Sequence, residues 1–107
     1  IAKRYLLEIN NDNLTLPFWD FSDNHVFHLF VIRTPKRKEL QDYLKKNGIE
    51  TLIHYPVAPH RQKAFDFWNN LQLPITEKIH DEVLSLPMSP IMKDDEVSFV
   101  ISIINKY

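Results

Sequence analysis

Apolar positions recur along this chain at two periods, and each change of period marks an element. Tyr5, Leu6 and Ile9 fall at helical spacing within residues 2–10, and Asn10-Asn11-Asp12-Asn13 then ends the helix. Leu14-Thr15-Leu16-Pro17 suits a short strand, and residues 18–24 read as a loop with buried aromatics. His25–Arg33 is the strongest strand signal, because Val, Phe, Leu and Ile side chains occupy both of its faces. That pattern predicts a central strand covered on both sides. Thr34-Pro35 then opens a helix, with Thr34 as N-cap and Pro35 at the first helical position. Leu40, Tyr43 and Leu44 form its apolar stripe, Asp42 is placed to pair with Lys46, and Gly48 stands where a left-handed C-cap residue is wanted.

Period two returns at Glu50–Tyr55, a second strand with Thr51, Ile53 and Tyr55 on one face and Leu52 and His54 on the other. Pro56 and Pro59 stop it. His60–Trp68 predicts a short helix, Leu71–Pro74 a connector, and Thr76–Leu84 a helix with Ile79 and Val83 inward. Pro87 and Pro90 bound the next loop, and the last helix starts near Lys93. Asp94, Asp95 and Glu96 in its first turn complement the helix dipole, and Val97, Val100, Ile101 and Ile104 supply the inward stripe. Strand, helix, strand is therefore the organising unit. The expected fold class is α+β, in two layers, with helices covering a short antiparallel or mixed sheet.

Composition narrows the functional classes. A length of 107 residues allows one domain, taken to be residues 1–107. With 44% hydrophobic and 25% charged residues the chain is globular rather than disordered. A formal net charge of -1 offers no attraction to nucleic acid or to an anionic membrane, and neither is expected as a partner. Cysteine is absent, which removes disulfides and thiolate metal sites and fits a reducing cytoplasm. The apolar runs Val26–Ile32 and Phe99–Ile104 are too short to span a bilayer, and no signal-peptide pattern opens the chain. Gly48 is the single glycine, so no glycine-rich phosphate loop exists. The chain begins at Ile1 within a helical pattern and without an initiator methionine, which leads us to expect a piece of a longer protein.

Candidate chemistry is sparse. His25 and His28 point to opposite faces if they share a strand, and the His54–His60 spacing is no familiar zinc pattern, so no metal site is expected. His80, among Lys78, Asp81 and Glu82, reads as a surface imidazole. The serines lie in no strained elbow of the kind a nucleophile needs. Lys36-Arg37-Lys38 and Lys45-Lys46 share their helix with Glu39 and Asp42, which makes a solvated face. A Schiff-base lysine needs a desolvated amine, and even Lys63, the least polar in context, reads as snorkelling. On its own residues the chain lacks the parts of an enzyme. His54 and Tyr55 are its best ligand-contacting pair, because they stand where a strand ends, and strand ends are where sites are built.

Several separated motifs agree in order and spacing with one family. Gly48-Ile49-Glu50-Thr51-Leu52-Ile53-His54-Tyr55-Pro56, followed by Pro59-His60-Arg61-Gln62, resembles the signature of the DegT/StrS sugar aminotransferases. His28-Leu29-Phe30-Val31-Ile32, Leu73-Pro74 with Thr76-Glu77, and Val83-Leu84-Ser85-Leu86-Pro87-Met88 extend the resemblance over essentially all of residues 1–107. It implies the small C-terminal domain of a fold-type-I, pyridoxal-phosphate enzyme that works as a homodimer. Such enzymes move an amino group, usually from glutamate, to a keto sugar carried on a nucleotide. The segments Leu52–Pro56 and Pro87–Pro90 are closest to members acting on dTDP-3-keto-6-deoxyhexoses, in surface polysaccharide (lipopolysaccharide) or aminosugar synthesis.

The resemblance assigns the reacting lysine, the aspartate facing the pyridine nitrogen and the phosphate-binding residues to a large N-terminal domain. It therefore implies no catalytic and no cofactor-binding residue here, and no cofactor in this chain alone. It puts the histidine matching His54 at the active-site mouth, so His54, Tyr55 and His60 are the expected substrate-binding residues, with a capping role for His60 as the alternative. Phe30 stands where the family commonly has tyrosine, which removes a hydroxyl. Trp19, Phe21, Phe65 and Trp68 are expected on an apolar face turned to the large domain. The competing reading is a stand-alone α+β module that binds a small ligand or a protein.

Overall fold

Two four-residue strands pair antiparallel at the centre of the molecule: β1, Phe30–Arg33, and β2, Val83–Leu86. The computed structural model describes residues 1–107. The register sets Phe30 opposite Leu86, Val31 opposite Ser85, Ile32 opposite Leu84 and Arg33 opposite Val83. Single bridges widen this ladder on both sides, Thr15 to Arg33 and Leu52 to Ser85. The helices are α1 (Ala2–Glu8), α2 (Arg37–Lys46), α3 (Pro74–Glu82) and α4 (Asp94–Ile104), and 3-10 turns occupy Pro59–Arg61 and Lys63–Trp68. The result is the expected α+β arrangement of helices around a short antiparallel sheet. No helix is long and apolar enough to cross a membrane.

Tyr5, Phe30, Ile32, Leu40, Leu44, Leu84 and Ile104 are fully buried and form the centre of one core. The last helix follows its pattern closely. Val97, Val100, Ile101 and Ile104 are buried, and the Glu96 carboxylate accepts the Lys93 N–H at 2.7 Å, one half of a capping box. Helix α1 is tied to α4 by a polar seam: Arg4 donates to the Asp94 carbonyl (3.0 Å), Asn11 to the Ile104 carbonyl (2.8 Å), and Asn105 to the Glu8 carbonyl (2.9 Å). Gly48 takes φ +79° and closes α2 with Gly48 N–H to Lys45 O and Ile49 N–H to Leu44 O, the paired bonds of a Schellman cap.

The elements differ from expectation where distant residues decide them. β1 begins at Phe30, not at His25. Phe27 sits at φ 47° and its N–H donates to the Nδ1 of His25, whose ring stacks on it at 3.9 Å, so the backbone leaves the extended path before β1. Val26 and His28 are exposed as a consequence, and His28 has no covered strand face to fill. β1 is buried on alternate residues only; β2, between β1 and the Leu52 bridge, is the strand covered throughout.

Helix α2 starts at Arg37. Thr34 ends β1 instead, with its N–H on the Glu82 carbonyl and its hydroxyl accepting from Lys36 N–H at 3.2 Å. Asp42 pairs with Lys38 rather than with Lys46. The expected strand 50–55 is reduced to the Leu52–Ser85 bridge, and the Tyr55 carbonyl is engaged by a side chain outside any ladder. Residues 60–68 form 3-10 turns broken at Gln62. The helix expected at 76–84 runs from Pro74 to Glu82, and Val83 turns extended into the sheet because Val83–Leu86 finds a partner in β1.

Candidate functional site

The loop that leaves the Leu52 bridge carries His54 and Tyr55, and its backbone is held from two sides. His54 is half-buried, with Nδ1 2.9 Å from the hydroxyl of Ser85, a buried residue of central β2. The adjacent Tyr55 has an exposed ring, and its carbonyl lies 2.6 Å from Nδ1 of His80 on α3. A carbonyl can only accept, so His80 carries its proton on Nδ1. The His54–Tyr55 peptide is cis. Tyr55, Pro56, Val57, Arg61, Gln62 and Lys63 line an open groove of 520 Å³. A smaller recess of 140 Å³ is bounded by His54, Ser85, Thr51 and Met88 among others. The groove thus presents the Tyr55 phenol and the recess the His54 imidazole, groups that can hydrogen-bond phosphate or sugar hydroxyls, whereas Arg61 and Gln62 already donate within the chain.

His60 behaves differently from its neighbours. Its ring is buried, and Nε2–H donates to Glu77 Oε1 at 2.9 Å. The same oxygen accepts from Arg61 at 3.0 Å and from the Leu73 N–H at 3.3 Å. Together these donors, the His60 hydrogen bond first, hold the Glu77 carboxyl far below its usual 4.5, at about 2. Arg61 also donates to the Asn69 carbonyl at 2.6 Å. His60 is therefore a brace between the first 3-10 turn and α3, and it is not on the surface where His54 and Tyr55 stand. Its burial, 17 residues from its partner in sequence, follows from the way α3 folds back over the loop.

The other expected residues divide. Phe30 is buried edge-on against Tyr5 with centroids 5.0 Å apart, which leaves it a packing role. Trp19 packs on the core, and its indole N–H donates to the Ser22 carbonyl at 3.0 Å. Phe21 is exposed; Phe65 and Trp68 stack at 5.2 Å, and Phe67 beside them is exposed as well. Part of the expected apolar face is thus at the surface. Sequence reasoning missed Ser85, Glu77 and His80 as the groups that hold the loop. The one local signal was Glu77-x-x-His80, a spacing that puts both side chains on one helix face. No group of three or more His, Asp or Glu side chains is arranged to hold a metal ion.

The path of the whole chain is shared with solved aminotransferases. DesV of S. venezuelae, in complex with a ketimine intermediate, superposes with a TM-score of 0.88 at 33% identity, over 98% of this chain and 29% of that one. NtdA of Bacillus subtilis, with bound cofactor PMP, superposes with a TM-score of 0.84 at 33% identity, over 96% of this chain and 26% of that one. The fold is that of a segment of the fold-type-I aminotransferases.

The sequence agrees. Residues 1–105 match the DegT/DnrJ/EryC1/StrS aminotransferase family, and the chain belongs to that family. It is 47% identical over 107 residues to the dTDP-3-amino-3,6-dideoxy-alpha-D-galactopyranose transaminase of Aneurinibacillus thermoaerophilus, across 100% of this chain and 30% of that enzyme. It is 37% identical over 100 residues to the 3-oxo-glucose-6-phosphate:glutamate aminotransferase of Bacillus subtilis, across 84% of this chain and 22% of that enzyme. The chain spans less than a third of the length of these relatives.

The family implies pyridoxal phosphate in its full-length members. The residues present here do not fit its anchoring site. Every lysine is exposed, whereas a Schiff-base amine needs a desolvated or otherwise tuned setting. No chemistry through the cofactor is derived from this chain.

Proposed function

We propose that this chain forms the substrate wall of a longer sugar aminotransferase, in which a preceding N-terminal domain holds pyridoxal phosphate and the full-length protein is a homodimer. The reaction is transfer of an amino group from glutamate to a nucleotide-linked keto-6-deoxy sugar, in the cytoplasm, for surface polysaccharide or aminosugar synthesis. One observation carries the reading: His54 and Tyr55 are braced at the surface of a chain that is 47% identical, end to end, to a dTDP-3-amino-3,6-dideoxygalactose transaminase. In this reading His54 and Tyr55 touch the nucleotide sugar, and His60 supports them from within through Glu77. The exposed apolar side chains Phe21, Phe67 and Trp68 are where the cofactor domain packs.

The test is amination of a dTDP-3-keto-6-deoxyhexose by the full-length protein with glutamate, followed by mass spectrometry. His54→Ala is expected to lower kcat/KM for the sugar by roughly 10- to 100-fold, the cost of a misplaced substrate. An enzyme that aminates no nucleotide keto sugar sinks the reading, and an unchanged His54→Ala enzyme removes His54 from the wall. The isolated 107-residue chain is expected to lose all pyridoxal-phosphate absorbance on dialysis. Stoichiometric retention of the chromophore would place the anchoring lysine here after all.

A further inference from the structure

Helix α3 turns a polar face inward. Thr76, Glu77 and His80 are half-buried, while Ile75, Lys78, Ile79 and Asp81 are exposed. A surface helix ordinarily buries its apolar stripe, so this inversion marks a face used for something other than core packing. Glu77 and His80, three residues apart, share that face and grip one loop at two points. Glu77 takes His60 and Arg61 at the far end of the loop, and His80 takes the Tyr55 carbonyl at the near end. Beyond α3 the chain runs directly into β2, whose Ser85 holds His54. Two consecutive residues, His54 and Tyr55, are thus fixed by two anchors five positions apart on the same helix-to-strand segment.

We infer that His80 is a positioning residue for the substrate wall: its Nδ1–H holds the Tyr55 carbonyl, and with it the backbone that aims the His54 and Tyr55 side chains. The inference rests on the reading that this wall meets the nucleotide sugar. The geometry separates positioning from simple stabilisation. The His80–Tyr55 bond lies at the exposed surface, so water can take the place of the imidazole when it is removed. The fold keeps its hydrogen-bond count and loses only the direction in which the carbonyl is held. A displacement of about 1 Å in a binding wall is enough to cost on the order of 100-fold in rate.

The experiment compares full-length wild-type enzyme with His80→Ala and His80→Asn; the Asn amide nitrogen occupies the place of Nδ1 and can donate to the same carbonyl. Three readouts are taken: kcat/KM for the dTDP-3-keto-6-deoxyhexose, the rate of the glutamate half-reaction, and amide hydrogen exchange across residues 54–61. His80→Ala is expected to lower kcat/KM for the sugar about tenfold, to leave the glutamate half-reaction within about twofold, and to speed exchange at residues 54–61 about tenfold. His80→Asn is expected to restore all three. Equal losses in both half-reactions without rescue by Asn would make His80 merely structural and overturn the inference, as would unchanged exchange in an active His80→Ala enzyme. A wild-type enzyme that aminates no sugar is a different failure: it removes the wall's substrate, and the functional role of His80 with it. Altered exchange would then report only a loop contact.

Discussion

Tyr5 joins the first helix to a loop 82 residues further on: its ring is fully buried, and its hydroxyl donates to the Pro87 carbonyl at 2.8 Å. Burial raises its phenol to about 12. Tyr5→Phe keeps the ring and leaves that carbonyl without its donor, so it is expected to destabilise the chain by about 1 kcal/mol. Urea unfolding measures this, and an unchanged midpoint would mean that water replaces the hydroxyl at no cost. The sequence marked Tyr5 as an inward residue through helical spacing, but Pro87 as its partner was not legible. His54 and Tyr55 were legible in the same limited sense. Their place at the end of an extended segment singled them out, whereas Ser85, 31 residues away, and His80, 25 residues away, came only from the fold.

Among the elements, α3 and β2 depart furthest from their local patterns. Ile79 and Val83 at helical spacing predicted one continuous inward stripe, yet Ile79 is partly exposed and Val83 belongs to the sheet. Tertiary pairing overrides the helical spacing here: Val83–Leu86 forms a complete antiparallel ladder with Phe30–Arg33. What holds α3 against the loop includes the Glu77 cluster, and that makes its grip dependent on pH. The carboxyl sits at about 2 in the folded chain against an ordinary 4.5, so the unfolded chain takes up its proton first as pH falls. The stabilisation from Glu77 is complete above about pH 4.5 and drains away as pH falls toward about 2. Glu77→Gln is accordingly expected to be less stable than wild type at pH 6, with a gap that narrows at pH 3. Urea midpoints at the two pH values provide the check, and a constant gap would show that the charge of Glu77 is immaterial.

On the scale of the whole molecule, one small core supports a surface with more apolar side chains than it can cover. Phe18, Val26, Phe67, Ile75 and Ile91 are all largely exposed. The isolated 107-residue chain is therefore expected to take up a hydrophobic dye and to self-associate at high concentration, with Phe67→Ser and Ile75→Ser together reducing both. Sedimentation and dye fluorescence test this; a monomer with no dye uptake would show the surface to be tolerated as it stands.

The sequence by itself determined α1, the stripe of α2, the Gly48 cap, α4 and the family to which the chain belongs. Stripes, caps and motif strings are written in residues a few positions apart, and their physics is local. The tertiary structure alone decided that β2 is the central strand, that His60 is a brace, and that His54 and the Tyr55 carbonyl are bonded to Ser85 and His80. Those outcomes depend on bonds between residues 17 to 56 positions apart, which exist only after the chain has folded back on itself. His54 and Tyr55 could be singled out in the sequence; the bonds that hold them belong to the fold.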